Sequence, residues 1–260
     1  MTTNSKALII GLSGASSSGK TSLSHLLRKI LPNVDVLHED DFFKHEEEIP
    51  VKDNLQDWDC AEAIDLPALV NVLQEIRHTG ELPPNLESKE SQSLTIDIDK
   101  VSESTISRIK DRVAAWIAPG QPGHLLQTRK IFIIEGFLLY SYSTSVIWPY
   151  LDLKMFLQVS YAAAKARRQT RSGYITHTSI WQDPPHYVDQ VVWPNYRHNH
   201  EWMFEDCDVE GNVKEGARLI SGIRWSGMAD MDMESTLTWA VELLMEELPS
   251  LLDDEYRKNE

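Results

Sequence analysis

The chain has 260 residues, 42% of them hydrophobic and 25% charged, enough for one sizeable core or one core with an insertion. Forty acidic against 25 basic residues give a formal charge of −15, which argues against a nucleic-acid surface and requires any anionic ligand to be held by a few concentrated cations. Two cysteines, Cys60 and Cys207, give no disulfide framework, and apolar runs such as ALII and IFII fall far short of the ~20 residues of a membrane span. The opening MTTNSK carries no apolar signal core, so cytoplasm is the expected compartment.

Residues 7–12, ALIIGL, read as a buried strand, followed by SGASSSGKT. A helix follows, with Leu23, Leu26, Leu27 and Ile30 at helical spacing; Pro32 stops it, and VDVL at 34–37 is the next strand. Strand, glycine-rich turn, helix and strand in this order form a βαβ unit. A second helix fits 61–78, with Asp65 as N-cap ahead of Pro67 and Gly80 closing it. Residues 81–98 are polar, contain prolines and show no period, as a surface insertion would. Ile106, Ile109, Val113, Trp116 and Ile117 mark a helix broken by PGQPG at 119–123. Strands are expected at 130–139, ending in Glu135-Gly136, and at 154–159, the latter followed by the basic helix YAAAKARRQTR. Residues 172–192 read as loop, 218–225 as a last strand and 235–248 as a closing amphipathic helix. The alternation predicts an α/β fold: a parallel sheet with helices on both faces. The expected organisation is one domain over 1–250, with an insertion at about 80–128, a helical lid at about 161–190 and a polar tail at 251–260.

Between the first strand and helix, Gly14-Ala15-Ser16-Ser17-Ser18-Gly19-Lys20-Thr21 matches the phosphate-loop pattern in the context that gives it meaning. Gly14 and Gly19 let backbone N–H groups turn inward around phosphate oxygens, and the helix beginning there, through Ser22, aims its positive end at the same point. Lys20 adds charge for the terminal phosphates, and the Thr21 hydroxyl can ligate Mg2+. These features predict binding of a nucleoside triphosphate. An N-K-x-D guanine signature is absent, and the strand at 130–139 ends IIEG rather than in an apolar-DE pair. A small-molecule kinase fits better than a GTPase or motor.

In VLHEDDFFK at 36–44, extended geometry would put Glu39 and Asp41 on one side and Asp40 on the other, without saying which side faces the nucleotide. Glu135 ends a buried strand, where a carboxylate is costly unless it is paired or near a metal; an arginine partner or a Mg2+-bound water would each serve. Arg167 and Arg171 share a helix face, Arg168 is turned roughly 100° away, and the three form the densest basic cluster of the chain. His198-x-His200 reads as a pair of solvated histidines rather than a metal pair, since a third ligand is lacking.

The stretches GLSGASSSGKTSL, EDDFFK, QDWDCAEAID, IIEGFLL, KARRQTRSGY and VVWPNY occur in the order and spacing of nicotinamide riboside kinases, which the chain resembles from residue 7 to about 196. These are P-loop kinases similar to uridine and pantothenate kinases, and 80–128 is longer here than in the animal members. The resemblance implies a P-loop kinase fold and Mg2+-dependent transfer of the ATP γ-phosphoryl group to the 5′-hydroxyl of nicotinamide riboside, with nicotinic acid riboside as a second substrate. It makes Asp40 the matching carboxylate, as general base and contributor to the Mg2+ site, with Lys20 and Glu135 beside it and Asp41, Phe42 and Phe43 lining the acceptor. Asp59 would accept hydrogen bonds from the ribose hydroxyls, although Cys60-Ala61 replace the usual His-Pro. Arg167 and Arg171 would face phosphates and Arg168 the acceptor, while Ala229, Asp230 and Met231 fall where relatives contact adenine. Trp58 and Tyr174 would sandwich the cationic pyridinium ring. Small molecules are the expected partners, with no nucleic acid and no membrane. A uridine/cytidine kinase and a non-catalytic nucleotide-sensing regulator are the alternatives.

Overall fold

Alternate residues of strand β1 (Ala7–Gly14) divide between two cores: Leu8, Ile10 and Leu12 join one, Ala7 and Ile9 the other. That is the pattern of a strand covered on both faces. The computed structural model describes residues 7–84, 86, 101–170, 173–175 and 180–258, without the side chains of 174, 175, 180, 220 and 254–258. The strands after β1 are β2 (Val34–His38), β3 (Val51–Lys52), β4 (Leu55–Gln56), β5 (Lys130–Gly136), β6 (Leu153–Leu157), β7 (Tyr174–Ile175), β8 (Ile180–Trp181) and β9 (Ile223–Trp225). The main sheet runs β2-β5-β1-β6-β9 with all neighbours parallel, while β3-β4 and β7-β8 are short antiparallel hairpins.

The helices are α1 (Lys20–Ile30), α2 (Leu66–Thr79), α3 (Glu103–Trp116), α4 (Tyr161–Gln169), α5 (Trp193–His200), α6 (Glu215–Ser221) and α7 (Met233–Lys258). Leu23 and Leu27 of α1, Ile106 and Val113 of α3, and Leu237 and Leu244 of α7 build the core on one face. Leu69, Leu73 and Ile76 of α2 and Tyr196 of α5 build the other. Because crossovers return every strand in the same direction, the C-terminal ends of β1, β2, β5 and β6 share one edge. Leu12, Glu135 and His38 lie there in one row of the register. Among the described residues no helix is long and apolar enough to cross a membrane.

The structure departs from the sequence reading in four places. α2 starts at Leu66, not 61, because the Asp65 carboxylate accepts from the Ala68 N–H at 3.0 Å and caps the helix there. The 172–192 stretch expected as loop holds the β7-β8 hairpin and a helical turn, Val188–Val192, whose Val188, Val191 and Val192 are buried. Only Ile223–Trp225 of the 218–225 stretch is strand; α6 precedes it and ends at Gly222, whose φ of 67° suits glycine. The closing helix continues through Pro249 to Lys258 where a polar tail was expected, because Leu248 and Leu252 on either side of the proline are fully buried. Of the 80–128 insertion, Val101, α3 and Leu126 belong to the core. The polar stretch at 81–98 lies mostly outside the described residues.

Candidate active site

β1 ends in the phosphate loop because nothing but glycine fits at its last position. A Cβ on Gly14, whose φ is 153°, would lie 2.3 Å from the Leu157 carbonyl oxygen of β6. Gly19, at φ 101°, caps α1 without a side-chain bond, leaving the helix's positive end to the loop. Inside the loop the Ser18 N–H donates to the Ala15 carbonyl at 3.1 Å, and Ser17 adopts a φ of 66°. The Ser17 and Ser18 hydroxyls are both buried with no protein partner, an arrangement that incoming phosphate oxygens would satisfy. Buried Lys20 donates to the Ala15 carbonyl at 3.0 Å, Ala15 is buried, and Ser16 and Ser22 are half-buried.

Two buried carboxylates, Glu135 and Glu39, crowd the same edge. Glu135 of β5 accepts, on Oε1, the Thr21 hydroxyl at 2.9 Å and His38 Nδ1 at 2.7 Å. Burial pushes its carboxyl up, but the His38 hydrogen bond and charge, the Lys20 charge and the Thr21 bond together hold it below the usual carboxylate range. Its partner is therefore a histidine rather than an arginine. Glu39 is fully buried; its Oε2 accepts the Leu138 N–H at 3.0 Å and its Oε1 has no partner. Burial pushes Glu39 up to about 7, against the pull of the Leu138 N–H and the Lys20 charge. The alternation expected across Glu39, Asp40 and Asp41 does not hold, because Glu39–Phe42 is a 3-10 turn rather than extended chain. Glu39 points inward against Gly136, where a Cβ would meet its Oε2 at 2.3 Å. Asp40 and Asp41 stay half-buried on that turn, Phe42 enters the core, and Phe43 stacks on Phe137 with ring centroids 6.0 Å apart.

Arg168 of α4 organises a second group of charges beside the phosphate loop. Its Nη1 and Nη2 donate to the two carboxylate oxygens of buried Asp59 at 3.0 and 3.2 Å. Its Nε donates to Asp183 at 2.6 Å, and Nη1 reaches the Ser16 hydroxyl of the phosphate loop at 2.8 Å. Burial raises the Asp59 carboxyl, opposed by the Arg168 charge. Arg167 turns the other way and donates to the Ser17 carbonyl at 3.3 Å, so both arginines touch the phosphate loop from α4. Trp58 is buried, edge-on to Phe43 at 5.4 Å and tilted against Trp181 at 5.8 Å, with its indole N–H unpartnered.

No protein-family model matches the chain. A nicotinamide riboside kinase of Schizosaccharomyces pombe is 35% identical over 243 residues, covering 94% of this chain and 98% of that protein. The chain belongs to the nicotinamide riboside kinase family. The nicotinamide riboside kinase of Saccharomyces cerevisiae is 34% identical over 224 residues, covering 82% of this chain and 89% of that one. Nicotinamide riboside kinase 2 of Mus musculus is 32% identical over 220 residues, 83% and 91% of the two chains.

In this nicotinamide riboside kinase family member, Asp230 is exposed and its carboxylate accepts the Ser160 N–H at the start of α4, at 2.9 Å, with half-buried Ala229 and Met231 on either side. Met233 brings that segment to the phosphate loop, since its Cε is the atom a Cβ on Gly19 would meet, at 2.9 Å. Tyr174 pairs through its backbone with Trp181 on the β7-β8 hairpin; its side chain and all of Arg171 lie outside the described residues. His198 is exposed, but His200, expected in solvent, is fully buried against Phe156 and Tyr196. Sequence reasoning missed Glu39, His38, Asp183 and Trp181. It also missed Asp57, which accepts the Asp59 N–H at 3.1 Å and the Asn195 amide at 2.8 Å. Only the unusual EDD run carried a signal for any of them.

Proposed function

We propose that this chain transfers the γ-phosphoryl group of ATP to the 5′-hydroxyl of nicotinamide riboside, giving nicotinamide mononucleotide, with nicotinic acid riboside as a second acceptor. The reading rests on its family and on one observation: Arg168 joins the phosphate loop at Ser16 to the acceptor-side carboxylate Asp59. A donor phosphate and an acceptor ribose held by those two elements would meet across a single guanidinium. Lys20 and Arg167 would neutralise the phosphates, and the loop amides with the Ser17 and Ser18 hydroxyls would hold their oxygens. Asp40 would take the proton of the 5′-hydroxyl, with Glu135 beside it. Each Asp59 oxygen has two lone pairs, so ribose hydroxyls can bind it while Arg168 stays in place. Trp58, Phe43 and Trp181 supply an aromatic wall on the acceptor side, which suits a cationic pyridinium.

The residues fit Mg2+. Among the described residues no three His, Cys, Asp or Glu side chains form a metal cage, and Mg2+ bound with ATP needs only one or two protein oxygens plus phosphates. Thr21 and Asp40 would supply them, and the ion would neutralise charge on the transferring group. We read the described chain as one catalytic domain with α4 and the β7-β8 hairpin in its lid.

Turnover with nicotinamide riboside, uridine and pantothenate, measured side by side with Mg2+ and ATP, tests the proposal. The riboside should have the highest kcat/KM. Preference for uridine would make the chain a pyrimidine ribonucleoside kinase, and no turnover with ATP still bound would make it a nucleotide sensor.

A further inference from the structure

His38 is the last residue of β2 and lies beside Glu135 of β5 in the parallel register. It is almost wholly buried, and its Nδ1 is 2.7 Å from Glu135 Oε1. A carboxylate has no proton to give, so Nδ1 carries the hydrogen and donates it. The Thr21 hydroxyl donates to the same oxygen at 2.9 Å. Both bonds therefore fall on Oε1, and no described residue donates to Oε2. Across the ring of His38 lies His25, one helical turn beyond Thr21 on α1, stacked with centroids 5.9 Å apart and planes at 27°. The stack fixes the His38 ring from behind while Glu135 fixes it from the front.

We infer that His38 is a positioning residue for the metal-nucleotide site: by holding Glu135 Oε1 it sets the direction in which Thr21 spends its proton, and it leaves Oε2 as the oxygen presented to a metal-bound water. A threonine hydroxyl ligates a cation through its lone pairs. Committing its hydrogen to Glu135 turns those lone pairs away from the carboxylate and toward the loop. Without the His38 donor the Glu135 carboxylate can rotate, and Thr21 loses a fixed acceptor. Outer partners of this kind are worth about 10–100-fold in metal affinity or activity.

This inference rests on the kinase reading of the site, and its test is separable from that reading. Mn2+ binding to the ADP complex is followed by electron paramagnetic resonance in the parent, His38→Asn, His38→Ala and His38→Leu. The asparagine amide can donate from close to the Nδ1 position, so His38→Asn should bind Mn2+ within about threefold of the parent, and the donorless variants about 10–100-fold more weakly. ADP affinity without metal should not change in any of them. His38→Leu fills the buried volume and decides the question if His38→Ala does not fold. An asparagine variant as weak as the leucine variant, or donorless variants that bind Mn2+ like the parent, would overturn the inference. If the parent fails to phosphorylate nicotinamide riboside, the substrate reading falls while the Mn2+ series still reports on His38.

Discussion

Asp59 and Asp183 grip adjacent edges of one guanidinium, that of Arg168, which lies 5.6 Å over the ring of Tyr187 and is closed off from solvent. A planar fork can bind two carboxylates bidentately at once, and a lysine ammonium cannot. Removing one partner of a buried pair leaves uncompensated charge, at a cost of about 3–5 kcal/mol. Arg168→Ala should therefore lower unfolding stability by about 3 kcal/mol in urea titrations, and Arg168→Lys by less. Both should raise KM for the riboside at least about tenfold, because Asp59 loses the group that orients it. Parent-like stability for Arg168→Ala would show that the fork is not formed in solution.

The choice of general base is tested by exchanging carboxylates singly. Asp40→Asn should cut kcat by at least about 10², the lower range for a positioned acid/base group, with little change in ATP affinity. Asp41→Asn, on the same 3-10 turn, should stay near the parent. If Asp41→Asn is the damaging change instead, the assignment is wrong.

Lys20 acts on both buried acids: its charge lowers Glu39 and Glu135 alike. Lys20→Ala should remove most phosphoryl transfer while circular dichroism shows the fold retained. Turnover within about threefold of the parent would sink the role given to it.

Trp58 is covered by Phe43 and Trp181, so its ring is part of a wall rather than a free plate. A fixed pyridinium charge gains about 0.5–2 kcal/mol from such rings over a neutral base. Trp58→Ala and Trp181→Ala should therefore raise KM for nicotinamide riboside more than for uridine. Equal losses for both acceptors would indicate plain packing, and no loss for either would remove the wall from the site.

His200 supplies a pH signature. Burial, against the pull of its bond to the Tyr196 carbonyl and with the Lys20 charge adding, lowers it from 6.5 to about 4. Above pH 6.5 both folded and unfolded chains hold it neutral, and its stability contribution is complete. As pH falls toward 4 the unfolded state takes up a proton that the folded state refuses, so stability is lost across that window, by up to about 3 kcal/mol. His200→Asn, which keeps a donor for the Tyr196 carbonyl, should flatten the fall in unfolding free energy between pH 7 and pH 4. A curve parallel to the parent's would show that another group carries the acid loss.

The sequence by itself determined what depends on neighbours along the chain. The strand, glycine turn and helix of residues 7–30 were legible because a short apolar run bounded by turn formers, glycines at 14 and 19, and leucines at helical spacing are all local signals. The same holds for the Asp65 cap, the Gly80 stop and the face of α3. Only the tertiary structure decided what each charged side chain meets. His38 and Glu135 are 97 residues apart and Arg168 and Ser16 are 152 apart, and parallel crossovers bring each pair to one sheet edge. His200 reads as a solvent residue because hydropathy predicts exposure from type alone, and Glu39 as one of an acidic run whose two sides the sequence does not tell apart. The structure buries them, since a 3-10 turn against Gly136 and a helix end packed on Phe156 leave no other place for their side chains. Whether a carboxylate is a surface charge or part of a site is a property of its partners, and partners at that separation leave no pattern in the local sequence.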